Sequence, residues 1–207
     1  MAARRPRFGG VDIHALSDGR VVIIRPIRAD DVERLQAAHG RLSPLTRYRR
    51  FMTAKPYLST ADATYLSAID GCDHYALVAT FAESPAVAET IIAVARFVRT
   101  PEDSATAEFA IVVGDEWQGD GLGRELMGRL VDAAVTRGVL RFQATMLADN
   151  LAIQRLSERF AVGPLRRLRR GNTFEVEFDL PTRTPAASPA SPAPAAAAAA
   201  SPLARLP

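Results

Sequence analysis

The residues with the clearest chemical meaning lie between Glu108 and Asn150. Gly119, Gly121 and Gly123 stand at alternate positions in the run Gln118-Gly119-Asp120-Gly121-Leu122-Gly123-Arg124. Without a Cβ at these positions, backbone can approach a ligand closely. The run opens an amphipathic helix, whose first N–H groups have no intrahelical partner and sit at the positive end of the helix dipole. Such a start is an anion site, and Arg124 adds a formal positive charge in its first turn. A pyrophosphate suits it better than a single carboxylate. The spacing is not the GxGxxG of a dinucleotide-binding fold, and no Lys-Ser/Thr pair follows as in a P-loop. A plain glycine-rich turn entering a helix is the alternative reading.

Upstream of the loop, Glu108 lies in an apolar strand-like run. Alternation places Glu108, Ala110 and Val112 on one face. A carboxylate among apolar neighbours is poorly solvated, which favours its protonated form and makes it a better proton acceptor near neutral pH. Such a group can take the proton that a cationic nucleophile must lose before it can attack. Glu108 could instead pair with an arginine, such as Arg96 on the neighbouring strand. Asn150 could touch a ligand or simply cap the short helix that follows.

Other candidates are weaker. Cys72 and His74 have the spacing of a Cys–His nucleophile, yet a lone cysteine is more often a small buried hydrophobe. Three histidines and one cysteine give no metal-site spacing, so no metal is expected. Arg47, Arg49 and Arg50 could meet an acidic acceptor surface or form an ordinary solvated helix face. Trp117 reads as packing beside the loop.

The elements that must hold these groups follow from pattern. Ser17-Asp18-Gly19-Arg20 is a turn leading into the strand Val21–Arg25. Ala29-Asp30-Asp31 opens a helix, the basic segment Leu45–Phe51 follows, and Ser59 or Thr60 caps another helix through Ile69. Three strands come next: His74–Phe81, Thr90–Val98 and Ser104–Val113. The helix from Gly121 to Arg137 carries Leu122, Leu126, Leu130 and Ala134 on one face and closes at Gly138. Then come the strand Arg141–Leu147, the helix Asn150–Phe160, and a hairpin over Leu165–Leu180 turning at Gly171-Asn172. The order β-α-α-α-β-β-β-α-β-α-β-β makes an α+β domain, with a mixed and mostly antiparallel sheet flanked by helices.

Composition frames that domain. The chain has 207 residues, with 48% apolar and 24% charged, which is ordinary for a globular protein. A net charge of +3 without a lysine-rich block argues against nucleic acid as a partner. No run approaches the ~20 apolar residues of a membrane span, and the single cysteine leaves no intrachain disulfide. The start, Met1–Gly10, reads as a flexible arm with no apolar run of a signal peptide. From Pro181 to Pro207 the Pro/Ala/Ser composition cannot build a core, and disorder is expected. The folded domain is then residues 11–180, and a cytoplasmic protein is the default.

Gln118-x-x-Gly121-x-Gly123, after a strand and before a helix, resembles the coenzyme A motif of GNAT superfamily N-acetyltransferases. More narrowly, several segments resemble bacterial protein lysine acetyltransferases: Arg25-Pro26-Ile27-Arg28, Leu42-Ser43, Arg47–Met52, Asp73–Ala79, Ala107–Ala110 and Met146–Asn150. The resemblance covers nearly all of Leu16–Phe160. It implies a GNAT-type fold with acetyl-CoA as the acyl donor, and acylation of lysine side chains on proteins such as acyl-CoA synthetases. It gives Glu108 the general-base role, acting through water. It also implies that the strand before the loop splays from its neighbour, so that the backbone of Ala110, Ile111 and Val112 pairs with the pantetheine arm. Asn150 would touch that arm or the acceptor amine. Two departures stand out: Ser157 occupies the place of a thiolate-protonating tyrosine, and a Leu-Gly-Phe ending has become Phe160-Ala161-Val162. No general acid is therefore assigned. An enzyme acting on a small amine, or a non-catalytic acyl-CoA-binding module, are the alternatives.

Overall fold

The computed structural model describes residues 12–84 and 86–182. The expected N-terminal arm, and the tail from residue 183 on, lie outside the described residues. Eight strands form one sheet, in the order β1 (Asp12–Ala15), β2 (Val21–Pro26), β3 (His74–Phe81), β4 (Thr90–Arg99), β5 (Thr106–Val113), β6 (Arg141–Leu147), β8 (Thr173–Asp179) and β7 (Val162–Arg170). Every neighbouring pair is antiparallel except β5 with β6. The fold is α+β, a mixed and mostly antiparallel sheet flanked by helices. Among the described residues no helix is long and apolar enough to cross a membrane, and no group of three or more His, Cys, Asp or Glu could hold a metal ion.

Helices cover both faces. On one face lie α1 (Val32–Arg41), α2 (Pro44–Phe51) and α3 (Thr60–Ser67), packed over Ile27, Phe51, Leu66, Val78 and Ile91. On the other lie α4 (Leu122–Thr136) and α5 (Leu151–Phe160). There Leu122, Leu126, Met127 and Leu130 pack on Phe97, Phe109, Phe142 and Phe178, the residues buried by α4's four-residue apolar spacing. Ser43 caps α2, its hydroxyl accepting from the Thr46 N–H, and Ser59 caps α3 in a capping box with Asp62.

Two details differ from the expectation. β1 adds an edge strand ahead of the Ser17–Arg20 turn, too short for its alternation to stand out in the sequence. The helix expected from Ala29 begins instead as a 3₁₀ turn at Ala29–Asp31 and becomes α-helical at Val32.

Candidate active site

β5 is the axis of the site. It pairs with β4 along Ala107–Val113, but with β6 only at Thr106↔Arg141, Ala107↔Phe142 and Glu108↔Gln143. An aromatic cluster holds the strands together up to that point, with Phe109 and Phe142 ring centroids 5.3 Å apart and Phe109 and Phe178 5.7 Å apart. Beyond it, β5 and β6 part, and the β6-facing backbone of Ala110–Val113 borders a cavity of about 320 Å³. Its far wall is Ala144, Met146, Ile153 and Leu156 from β6 and α5.

The glycine loop closes one end of this cleft. Gly119 and Gly121 hold φ of +95° and +84°, a region that side-chain-bearing residues rarely adopt. Gly121 is the N-cap of α4 and no side chain caps that end, so the first amides of the helix are offered to a ligand. Gly123 sits inside the helix with ordinary φ, and a Cβ there would meet Val113 Cγ2 at 3.7 Å. Gln118 braces the loop, its side-chain amide donating to the Val113 carbonyl at 3.0 Å.

Of the residues singled out from the sequence, Ala110, Ile111, Val112, Gln118, Gly119, Gly121, Gly123, Arg124 and Asn150 all line the cleft. Three do not: Glu108 lines a neighbouring cavity instead. Leu122 is buried in the core, and Asp120 turns to Arg20 at 3.3 Å and Ser17 Oγ at 2.8 Å. Asn150 occupies the N-cap position of α5 and lines the cleft, and its side chain makes no cap hydrogen bond. Ser157 lies away from the cleft, wholly buried, with its hydroxyl donating to the Ile153 carbonyl at 2.9 Å.

Glu108 is 6% exposed and stands where the two strands part. It lines a polar cavity of about 490 Å³ next to the donor cleft, with Gln143, Thr145, Arg166, Arg167, Glu175 and Glu177. The arginine that acts on it is Arg50 of α2, a residue that also lines the donor cleft. Burial pulls the Arg50 guanidinium down to about 10, against the opposing pull of Glu108. Arg96, the pairing expected from the sequence, faces Ala110 across the strands and bonds elsewhere: to His74 Nε2 at 3.1 Å and the Leu66 carbonyl at 3.1 Å.

The basic segment is thus not a uniform solvated face. Arg47 donates to the Pro56 carbonyl at 2.7 Å, Arg49 pairs with Asp149 at 3.8 Å, and Arg50 turns inward. Cys72 is exposed ahead of β3 whereas His74 is buried against Arg96, so the two form no nucleophile pair. Trp117 lines the cleft, packed on Phe81 with ring centroids 4.9 Å apart and under the Arg20 guanidinium at 3.9 Å.

A strand that parts from its parallel neighbour just before an uncapped helix start can hold a long ligand ending in phosphates. A family model described as an acetyltransferase (GNAT) domain matches residues 21–161, which span both features. The chain belongs to the GNAT acetyltransferase family. Acetyltransferase Pat of Mycolicibacterium smegmatis is 39% identical over 142 residues, 68% of this chain and 41% of that protein. The chain therefore spans well under half of that relative's length. Acetyltransferase PA5475 of Pseudomonas aeruginosa is 33% identical over 159 residues, 75% of this chain and 84% of that one. Among solved structures, the GNAT domain of S. lividans PAT superposes with a TM-score of 0.72 at 27% identity, covering 84% of this chain and 99% of that domain. In this GNAT chain, what sequence reasoning missed is the action of Arg50, named there only as one of three surface arginines, on Glu108, and an Asp115 clamp that accepts from the Ser43 N–H at 2.8 Å, Ser43 Oγ at 2.7 Å and Thr46 Oγ1 at 2.7 Å. Both need tertiary contacts that no local pattern reveals.

Proposed function

We propose that the chain transfers an acyl group, acetyl in the simplest case, from coenzyme A to a primary amine. The observation that carries this is the place of Glu108: it lines an open polar cavity that adjoins the donor cleft, with Ala144 and Thr145 bordering both. The pyrophosphate sits on the amides of Gly121–Arg124, and the pantetheine runs along Ala110–Val112 toward Glu108. The amine enters through that polar cavity, where Glu175 and Glu177 stand with Arg166 and Arg167. The ammonium proton passes to Glu108 directly or through water, and the freed nitrogen attacks the thioester carbon. The C–N bond forms as the C–S bond breaks, the second proton on nitrogen passes to water, and coenzyme A leaves as thiolate. Its thiol is acidic enough to need no protein acid, which fits the withdrawn position of Ser157.

A lysine side chain on a protein is the acceptor we favour, with acyl-CoA synthetases as the substrate class, on the strength of the similarity to Pat and PAT. The cell compartment is the cytoplasm, in keeping with an exposed thiol at Cys72 and no disulfide. The test combines calorimetry with acetyl-CoA and thiol release in the presence of lysine-bearing proteins. Binding with a Kd on the order of micromolar, and acetyl-lysine formed in step with thiol release, is expected. Gly121→Val should abolish donor binding, because the +84° φ is strained for valine and the side chain would intrude on the phosphate. Undiminished binding in that variant would remove the loop from the site. Tight binding with no amine-dependent thiol release would instead mark a non-catalytic acyl-CoA-binding module.

A further inference from the structure

Beside the donor cleft lies a second cavity, of about 360 Å³, between β4 and the helices α1 and α2. Helix α2 is the partition. Thr46 and Arg49 border the donor side, Ser43 and Phe51 border the second cavity, and Arg50 borders both. At its N-terminal end the partition is fastened by Asp115 through Ser43 and Thr46. At its other end the boundary is Arg50 together with Val112, which also lines both spaces and shares a strand face with Glu108. The apolar part of the wall includes Ala38, Leu58, Leu66 and Val94, and Arg41, Arg96, Asp115 and Glu116 stand around it. His39 stands among them: burial first, then the charges of Arg47 and Lys55, hold its pKa low, its neutral ring packs on Phe51 with centroids 5.5 Å apart, and neither buried ring nitrogen has a hydrogen-bond partner. Protein interiors keep few voids larger than a water molecule, whereas small-molecule pockets begin at about 300 Å³.

In the donor pose proposed above, the thioester lies near Glu108, beside Arg50. An acetyl group ends there. A longer chain continued past Arg50 and Val112, which line both spaces, enters the second cavity. We propose that the second cavity receives the aliphatic chain of acyl donors longer than acetyl, making a medium-chain acyl-CoA a substrate of this site. The inference rests on the donor reading above. The reaction is unchanged: the acyl carbon leaves sulfur for nitrogen, and no further reactant is required.

Calorimetry and thiol release with acetyl-, butyryl- and hexanoyl-CoA test it. Each buried methylene contributes a factor of about four in affinity at most. Hexanoyl-CoA should therefore bind at least about tenfold tighter than acetyl-CoA and be turned over. Ala38→Phe, filling the cavity from α1 and away from the donor cleft, should remove that gain and leave acetyl-CoA affinity and turnover within about twofold. Leu42→Trp, at the half-buried rim, gives the same reading if Ala38→Phe fails to fold by thermal melt. Hexanoyl-CoA binding no tighter than acetyl-CoA, or a gain that survives in the folded filling variant, overturns the inference and leaves the donor reading intact. Failure of every acyl-CoA to bind overturns the donor reading, and the inference with it.

Discussion

Two buried arginines, Arg25 on β2 and Arg96 on β4, are each 2% exposed, and their surroundings differ in kind. Arg25 meets Asp31 twice, at 2.7 and 2.8 Å, and Glu89 at 2.6 Å. The Asp31 bonds outweigh burial and raise the Arg25 pKa, with Glu89 adding to the rise. For Asp31 and Glu89, burial is the largest single influence and pushes upward. Their bonds to Arg25 and neighbouring donors together hold both below the usual carboxylate range. Arg96 has no such compensation. Burial first, then the charge of Arg50, pull it down to about 9, and one carboxylate, Glu108, acts on Arg50 beside it. The first cluster is a balanced structural joint between β2, the 3₁₀ turn and β4's approach. The second carries surplus positive charge, bordered by both cavities. Uncompensated burial of charge is costly, and it collects where a fold serves a ligand.

The largest effect should come from Glu108→Gln. Turnover should fall by about 10²–10⁴, the range for loss of a general base, with acetyl-CoA affinity within a few-fold. Were Glu108 only an ion-pair partner of Arg50, the variant would lose stability and keep its rate per folded molecule. Stopped assays of thiol release on protein quantified as folded decide between these.

Arg25→Met should show the opposite pattern. It strands two carboxylates, one of them fully buried, and should cost about 3–5 kcal/mol of unfolding free energy. Turnover per folded molecule should stay near wild type. Denaturant melts paired with kinetics check this, and a rate loss exceeding the loss of folded protein would erase the contrast between the clusters.

Arg50→Met should fall between the two, with a rate loss of about tenfold. Removing a cation beside Glu108 disfavours the carboxylate form, so the acidic limb of the pH–rate profile should move to higher pH. An unmoved limb would mean that the charge of Arg50 does not reach the base.

The two clusters also show what the sequence displays and what it hides. The glycine loop, the α4 stripe and the alternation that puts Glu108 with Ala110 and Val112 are local patterns, and each is visible in a short window. So is the antiparallel pairing of β3, β4 and β5, because the short polar links between them favour hairpins. Arg50 is different: α2 spans eight residues with three arginines, and only its docking on β5 decides which one is desolvated. The Arg25–Glu89 contact joins residues 64 apart in sequence. The parting of β5 and β6 depends on where the Phe109–Phe142 contact ends, a packing fact with no sequence period.

The smallest expected effect concerns acid stability around Arg96. Burial, reinforced by the Arg96 charge, lowers the His74 pKa to about 4 from an ordinary value near 6.5. The folded state thus keeps His74 neutral, so its Nε2 can accept from Arg96. Between about pH 6.5 and 4 the unfolded chain binds a proton there that the folded chain refuses. Stability therefore rises with pH across this window and is lost as pH falls through it, by at most about 1.4 kcal/mol per pH unit for one group. His39, also lowered chiefly by burial, contributes in the same direction. The Arg25 cluster acts in a lower window: its carboxylates have depressed pKa values, so their contribution is present above the unfolded carboxylate pKa and lost only as pH drops below it. Denaturant midpoints measured from pH 7 to 3 separate the two. His74→Gln, which stays neutral and keeps an acceptor for Arg96, should flatten the upper window and leave the lower one unchanged. An identical slope in the variant between pH 6.5 and 4 would show that protons taken up elsewhere set the acid sensitivity.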